Sequence, residues 1–381
     1  MTSPDFVLVE SQAALEKACR DLGGASRLFL DTEFEGNRAG VRLCLVQVSR
    51  GERIYLIDVL RLTGTKPLAA VLSDTTPEWV LHSGEQDVSL LVHQLGADVP
   101  SRVFDTQVAW GLLSAESSVS LAYLQFRLLG MRLPKAHQAD DWKRRPLPPA
   151  QLRYAADDIT HLPDLLAALD RQAEAHGRAQ IVRDASLEMV WPQPQVPVEL
   201  TLSSFRNAWQ LDPRRQAALR FVIDWYNTLS PAQRASAPDA KVLLSIASRL
   251  PENATQLGRI KGVPRSWCAR HGDWLVTELH HAIEQAADAD FVPIDPFPYA
   301  TFEEVRLDGW LQWVRAEVCA RLSVAPELAL PARLLKRARD TTRASGDALS
   351  LLTHLSSWRR QLVEPAYREQ CANHPPPLDS R

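Results

Sequence analysis

The chain has 381 residues, of which 45% are hydrophobic, so it can bury a sizeable core and is too long for one ordinary domain. Its formal net charge of −3 excludes a globally basic nucleic-acid-binding protein, so any basic surface must be local. Its five cysteines are odd in number and scattered without metal-ligand spacing, which excludes a disulfide framework and a zinc site and favours reduced thiols.

The first five residues show no basic stretch followed by an apolar one, so no secretory signal is predicted. No apolar run approaches the length that crosses a membrane. We therefore expect a soluble, cytoplasmic protein without a membrane partner.

The N-terminal part of the chain mixes strand and helix patterns. Three strands come first, and the tight turn Arg50-Gly51-Glu52 joins the second to the third as a hairpin. Two short strands then alternate with helices. The predicted strands cover 27–30, 41–49, 54–59, 79–81 and 103–104, and the predicted helices cover 87–95, 106–113, 121–129 and 150–173. This order predicts an α/β domain with a mixed sheet flanked by helices.

Two carboxylates follow the apolar run of the first strand. The run Leu28-Phe29-Leu30 stops at Asp31, and Glu33 comes two residues later. Such a stop is typical of a buried strand that ends at a cleft, and residues two apart on a strand point to the same side. Carboxylates this close repel each other unless a cation lies between them, and hard oxygen ligands suit Mg²⁺ or Mn²⁺. A solvated strand end is the simpler alternative, so the interpretation needs further carboxylates at the same place.

A third acid, Asp87, follows the fourth predicted strand at the end of the segment His82 to Asp87. The segment after a strand is where α/β sheets build their sites. Taken alone, Asp87 equally fits the first turn of a helix, where a negative charge stabilises the helix dipole.

A tyrosine and an aspartate share one face of the last helix predicted in this domain. Tyr154 and Asp158 are four residues apart, so their side chains project together, whereas Asp157 is rotated away. Aspartate has a poor helix propensity, so its place inside a helix needs a reason. A solvated helix face is the alternative.

The second half of the chain is predicted to be helical, with two proline-rich breaks. Prolines punctuate 191–197, which is typical of a linker or of an extended segment lying over a neighbour, and they recur in 291–302. The helical patterns cover 205–228 and 307–371. Each block has a Trp-rich first helix followed by an Ala-Pro pair, so we interpret them as a diverged tandem pair of small helical domains.

The acidic segments taken together resemble the three motifs of the DEDD superfamily of 3′-5′ exonucleases. Leu30–Phe34 is similar to the first motif, His82–Asp87 to the second, and Tyr154–Asp158 to the third in its tyrosine-bearing form. Phe104–Gln107 and Asp141–Leu147 resemble the ribonuclease D family in particular, and the helical remainder is similar to two HRDC domains. The resemblance thus covers nearly the whole chain.

The resemblance implies a ribonuclease H-like fold followed by two small all-α domains. The mixed sheet flanked by helices that the pattern predicts agrees with that fold. The implied regions are an exonuclease domain over 1–190, a first HRDC domain over 200–290, a second HRDC-like domain over 303–373 and a disordered tail over 374–381.

The resemblance also implies a two-metal site. Tyr154 would orient the attacking water, since a neutral tyrosine is a poor base and a metal can lower the pKa of water instead. Glu35 competes with Glu33 for a place at the site, and the spacing from Tyr154 favours Asp158 over Asp157. The charge of about −4 on four carboxylates would be balanced by two divalent cations, Mg²⁺ or Mn²⁺. The implied metal ligands are Asp31, Glu33, Asp87 and Asp158.

The implied activity is that of a metal-dependent 3′-5′ exoribonuclease. It would release nucleoside 5′-monophosphates from RNA, such as tRNA precursors with single-stranded 3′ ends, and we expect a monomer. A 3′-5′ exodeoxyribonuclease is one alternative, because no residue unmistakably reads the 2′-hydroxyl. A catalytically silent nucleic-acid-binding scaffold is another, although a silent domain has no need to keep repelling carboxylates together.

Local cations are the candidates for RNA contacts. Near the site these are Lys143, Arg144 and Arg145. In the helical blocks they are Arg214, Arg215, Arg333, Lys336, Arg337 and Arg339. Ordinary solvated helix faces are the alternative for the second group.

Overall fold

The computed structural model describes residues 5–37, 40–132, 141–191, 199–287, 290–294, 296 and 301–377. Contacts divide the chain into two units, Met1–Gln193 together with Phe302–Arg381, and Pro194–Thr301. Within the described ranges, no helix combines the length and the apolar character needed to cross a membrane.

Six strands form one mixed sheet in the first unit, in the order β1-β4-β3-β2-β5-β6. The strands are β1 (Phe6–Val9), β2 (Arg27–Asn37), β3 (Gly40–Ser49), β4 (Ile54–Ile57), β5 (Glu78–Leu81) and β6 (Val103–Asp105). β3 pairs antiparallel with both β2 and β4, which confirms the predicted hairpin, and the other pairs are parallel. The predicted fold class, a mixed sheet flanked by helices, is confirmed.

Strand β2 does not end at the acids, so that prediction was wrong. The strand runs on to Asn37, and its residues pair with β3 from Phe29 onward. The ladder to β3 supplies hydrogen bonds to the backbone of the polar half, so charged side chains do not terminate the strand. Asp31 and Glu33 therefore lie in the middle of a paired strand.

Helices cover the sheet. They are α1 (Gln12–Leu22), α2 (Lys66–Leu72), α3 (Glu85–Leu95), α4 (Thr106–Gly111), α5 (Leu121–Leu129), α6 (Pro149–Thr160), α7 (Leu162–Ala175) and α8 (Ala179–Val190). The single helix predicted over 150–173 is divided at His161, because Pro163 has no amide hydrogen to continue the helical bonding. β1, α1, α2 and α8 were not predicted.

The sheet separates two apolar layers. Successive side chains of each strand point alternately into one layer and the other. Leu28 and Leu30 of β2 lie in the layer that also contains Val88 of α3. Phe29 lies in the other layer, together with Ala155 of α6. Because side chains alternate along a strand, Asp31 and Glu33 continue the side of Phe29, which α6 covers.

The second unit has its own core. Its helices are α9 (Pro213–Thr228), α10 (Pro231–Ser236), α11 (Ala240–Arg249), α12 (Ala254–Gly258) and α13 (Arg265–Gln285). The helix predicted from residue 205 begins only at Pro213, because the Asp212 carboxylate accepts the Arg215 N–H at 2.9 Å and caps the first turn. The linker predicted over 191–197 lies outside the described residues except for Trp191.

The C-terminal helices belong to the first unit. They are α14 (Phe302–Leu322), α15 (Pro326–Ala329), α16 (Ala332–Ser345) and α17 (Ser357–Asn373). Leu311 of α14 and Val363 of α17 share an apolar layer with Leu165 of α7. Glu188 of α8 accepts hydrogen bonds from Trp358 Nε1, at 2.7 Å, and from Arg359. The region 303–373 therefore packs with the sheet and its helices, while its assignment as an HRDC-like domain stays a prediction.

The predicted tail over 374–381 is described only in its first half. The backbone carbonyl of His374 accepts a hydrogen bond from Trp310 Nε1 at 2.9 Å. Residues 378–381 lie outside the described residues. The predicted disorder of this tail and the predicted cytoplasmic location both stay predictions.

Candidate active site

Strand β2 and helix α6 bring three carboxylates together. One carboxylate oxygen from each of Asp31, Glu33 and Asp158 lies within 4.8 Å of the others. The two acids of β2 share a side of the strand, and α6 packs across β2, β3 and β4 on that side. Ala155 and Ile159 of α6 are buried in the apolar layer beneath it, which fixes the rotation of the helix and directs Asp158 at β2.

The two competing acids lie outside this group. Glu35 instead accepts the backbone N–H of Trp142 at 2.9 Å and faces Lys143 Nζ at 3.9 Å. Asp157 is half-buried, and burial raises its pKa while the charges of His161 and Arg153 oppose that rise. The geometry thus gathers Glu33 rather than Glu35, and Asp158 rather than Asp157.

Asp87 reaches the site from the other side of the sheet. It lies in the first turn of α3 and is 7% exposed. Thr32, between the two acids of β2, donates its hydroxyl to Asp87 Oδ1. Asp87 is not one of the three acids whose oxygens cluster within 4.8 Å, although its charge is the largest electrostatic contribution to the raised pKa of Asp31.

A buried aspartate holds the loop that carries Asp87. The carboxylate of Asp105 accepts the backbone N–H groups of Ser83, at 3.1 Å, and Gly84, at 2.8 Å. The loop is tight: a Cβ atom at Gly84 would lie 2.8 Å from Leu81 Cβ, so only glycine fits. Asp105 thereby anchors the turn from which α3 starts, which explains why a motif around Phe104–Gln107 accompanies the acidic segments.

Burial raises the pKa of every acid at the site. The effect takes Glu33 to a pKa of about 9 and Asp158 to about 7, with the neighbouring carboxylates adding to it. The pKa of Asp87 rises to about 6, again through burial, although the hydrogen bond from Thr32 opposes the change. The pKa of Asp31 lies well above its ordinary value for the same reasons. In the described part of the chain, no lysine or arginine forms an ion pair with any of these four acids.

Tyr154 is a neutral hydrogen-bond donor at this site. Its hydroxyl bonds to the carboxylate of Asp158, four residues along α6. Burial, followed by the charges of Asp158 and Glu33, raises the pKa of the phenol well above its ordinary value. The ring lies 6.3 Å from that of the buried Trp142, centroid to centroid. A phenol of raised pKa keeps its hydrogen, so Tyr154 is suited to hydrogen bonding and poorly suited to act as a base.

The donor set fits divalent cations. Carboxylate oxygens are the hard ligands that Mg²⁺ and Mn²⁺ prefer, and three of them converge here without a cation from the described residues. Burial and the repulsion between the carboxylates raise their pKa values, and a bound cation would relieve both effects.

Sequence reasoning missed two uncharged polar residues at the site. Gln47 of β3 is fully buried, and its Nε2 lies 3.5 Å from both Asp31 Oδ2 and Glu33 Oε1. Thr32 lies within the first acidic motif, but the motif predicts no role for it. The available signal for Gln47 was a lone amide in the otherwise apolar run Leu43–Val48.

The cations beside the site differ in their availability. The guanidinium of Arg145 binds Asp58 through two nitrogens and donates to the backbone carbonyls of Trp142 and Cys44. It therefore holds the 142–145 turn and is not free to contact phosphate. Lys143 and Arg144 are exposed.

The mixed sheet and its cluster of carboxylates fit a metal-dependent nuclease, and comparisons with known proteins agree with this class. A sequence profile of the family described as 3′-5′ exonuclease matches residues 6–174. Ribonuclease D of Pseudomonas paraeruginosa is 30% identical over 371 residues, which cover 95% of this chain and 96% of that protein. Ribonuclease D of Escherichia coli strain K12 is 26% identical, with 97% and 100% covered.

A solved structure shows the same fold. The crystal structure of Escherichia coli RNase D matches with a TM-score of 0.74 at 24% identity and covers 97% of this chain and 100% of that one. The chain belongs to the ribonuclease D family, whose members are metal-dependent 3′-5′ exoribonucleases. The resemblance inferred from the motifs is confirmed.

Proposed function

We propose that this chain hydrolyses RNA from its 3′ end by two-metal catalysis and releases nucleoside 5′-monophosphates. The observation that carries the proposal is the convergence of Asp31, Glu33 and Asp158 within 4.8 Å, with no cation from the described residues to neutralise them. We further propose that the protein acts as a monomer on tRNA precursors with single-stranded 3′ ends. Its relative of the same fold, Escherichia coli RNase D, is an exoribonuclease involved in structured RNA processing, which supports this choice of substrate.

The four acids would hold the cations, Mg²⁺ or Mn²⁺. Asp31, Glu33 and Asp158 offer one cluster of oxygens, and Asp87, held by Thr32, offers a further carboxylate beside Asp31. Bound there, the cations would lower the pKa of the attacking water and stabilise the charge that develops on the phosphate.

The chain's own residues would position the reactants. The Tyr154 hydroxyl would also orient the attacking water: its one hydrogen bonds to Asp158, and its oxygen could accept a hydrogen bond from the water. The water adds to the last phosphorus while the bond from phosphorus to the 3′-oxygen breaks. The products are a nucleoside 5′-monophosphate and an RNA shortened by one nucleotide, with a free 3′-hydroxyl.

The test is hydrolysis of a 3′-tailed tRNA precursor by the full chain with Mg²⁺ or Mn²⁺, with products separated at nucleotide resolution. We expect stepwise shortening from the 3′ end and release of 5′-monophosphates. Asp31→Asn should lower turnover on the order of a hundredfold or more, since it removes one preorganised charge. Asp157→Asn is the matched control, because the same change is made one residue from Asp158 but outside the cluster.

Three outcomes would contradict the proposal. Near-normal turnover by Asp31→Asn would remove the acidic cluster from the chemistry. Faster hydrolysis of a matched DNA oligonucleotide would make the chain an exodeoxyribonuclease. Binding of the precursor without any metal-dependent release of mononucleotides would make it a silent scaffold.

A further inference from the structure

Gln47 is a fully buried glutamine at the acidic site, and no acidic motif includes it. It lies in β3 directly opposite Asp31 of β2 in the antiparallel register. Directly opposed residues of an antiparallel pair share a side of the sheet. The amide of Gln47 is therefore fixed by the strand register on the side of the carboxylates of Asp31 and Glu33.

The amide nitrogen of Gln47 bridges these two carboxylates. Nε2 lies 3.5 Å from Asp31 Oδ2 and 3.5 Å from Glu33 Oε1. A glutamine nitrogen carries two hydrogens, so it can direct one at each acid. Gln47 thus contacts both acids that β2 contributes to the three-residue cluster.

Packing does not account for a glutamine at this position. Its Oε1 is buried without a hydrogen-bond partner among the described residues. A buried amide oxygen without a partner is unfavourable, and an apolar side chain of similar length would avoid that cost. The neighbouring positions Leu45 and Val46 are apolar and fully buried, as this strand otherwise requires.

A neutral donor suits a site that must accept cations. A lysine or arginine here would form ion pairs with Asp31 and Glu33, as Arg145 does with Asp58, and would compete with a divalent cation for their charge. A carboxylate would add to the repulsion. An amide donates to both acids and leaves their charge unchanged.

We propose that Gln47 is a positioning residue that holds Asp31 and Glu33 in the orientation in which they bind a divalent cation. This inference rests on the proposed function. It adds that the affinity of the site for metal depends on an uncharged donor in the neighbouring strand, in the way that outer hydrogen bonds orient the ligands of other metal sites.

The test compares Mn²⁺ binding by the full chain and two matched variants, following free Mn²⁺ by electron paramagnetic resonance. Gln47→Met keeps the length of the side chain and removes both donors, and we expect the Kd for Mn²⁺ to rise about 10- to 100-fold. Turnover at low Mn²⁺ should fall with it and recover as Mn²⁺ is raised. Gln125→Met is the control, because Gln125 is equally buried and its side-chain nitrogen donates to no described residue.

The melting temperature of the metal-free protein separates positioning from folding. We expect Gln47→Met and Gln125→Met to change it by similar, small amounts, with only the first weakening Mn²⁺ binding. A wild-type Kd in Gln47→Met, or a loss of turnover that saturating Mn²⁺ does not restore, would overturn the inference.

A second variant guards against misfolding of the first. Gln47→Asn keeps the amide but is one methylene shorter, so it cannot reach both acids, and its Kd should also rise. If wild-type protein itself binds no Mn²⁺, the proposed function fails. If wild-type protein binds Mn²⁺ and both variants match it, only the role of Gln47 fails.

Discussion

Acids of two kinds lie in and beside the sheet, and the contrast between them defines the site. Asp58 and Glu78 are at most 1% exposed, and each is bound by arginine: Asp58 by Arg145, and Glu78 by Arg27 and Arg183. The four acids of the candidate active site are partly or fully buried, yet no described lysine or arginine pairs with them.

The acids paired with arginine stabilise the fold, whereas the unpaired acids of the candidate site are available to a ligand. A buried carboxylate paired with arginine is neutralised within the chain, and breaking the pair leaves an uncompensated charge. The unpaired cluster raises the free energy of the metal-free fold, which the raised pKa values of Glu33 and Asp158 record. External cations are therefore expected to act on the second group and not on the first.

The largest expected effect comes from breaking an internal pair. Arg145→Met leaves Asp58 buried without a cation, so the free energy of unfolding should fall by about 3–5 kcal/mol. Urea unfolding followed by circular dichroism measures it. The matched control is Arg144→Met on the exposed neighbour, which should change stability by no more than about 0.5 kcal/mol. Equal effects of the two changes would show that the Arg145–Asp58 pair does not stabilise the fold.

Metal should stabilise the fold, and more strongly at high pH. The folded pKa values of Glu33, about 9, and Asp158, about 7, lie above their unfolded values near 4. Metal-free protein therefore loses stability as pH rises from about 4 through 7 and 9, because the fold penalises deprotonation. Bound Mn²⁺ replaces those protons and removes the penalty.

The measurement is the gain in stability on adding Mn²⁺ at pH 6 and at pH 8.5. At a hundredfold excess over Kd the gain is about 2.7 kcal/mol, and at a fixed Mn²⁺ concentration it should be larger at pH 8.5, where fewer protons compete. Asp31→Asn protein, with an incomplete ligand set, is the control and should gain little. A gain that is equal at both pH values would mean that metal does not bind the acids of raised pKa.

The sequence predicted the acids of the cluster better than the strand that carries them. The charges of Asp31 and Glu33 suggested a strand end, but pairing with β3 carries the strand on to Asn37. The missed strand β1, Phe6–Val9, is an apolar run of strand-forming residues, but it is only four residues long, and its pairing beside β4 is what makes it part of the sheet. By contrast, the division of the predicted helix at His161 was readable from Pro163.

The sequence could not predict residues that reach the site only through the pairing register of the strands. The four-residue spacing of Tyr154 and Asp158 predicts a shared helix face directly, because helix geometry is local. Gln47 meets Asp31 only because β3 and β2 pair in one particular register, and an isolated glutamine carries no motif. The same holds for Thr32, whose partner Asp87 lies 55 residues further along the chain.

The smallest effect is the sharpest test of the contrast, because one substitution should act with opposite signs at two sites. In metal-free protein at pH 8.5, Asp31→Asn removes one of several repelling charges and should raise the free energy of unfolding by on the order of 1 kcal/mol. Asp58→Asn removes a neutralised charge, leaves Arg145 without its partner and should lower it. Urea unfolding in the presence of a chelator measures both. If Asp31→Asn also destabilised the metal-free fold, the acidic cluster would contribute to stability as Asp58 does. Its carboxylates would then not be unfavourable groups that a bound cation stabilises.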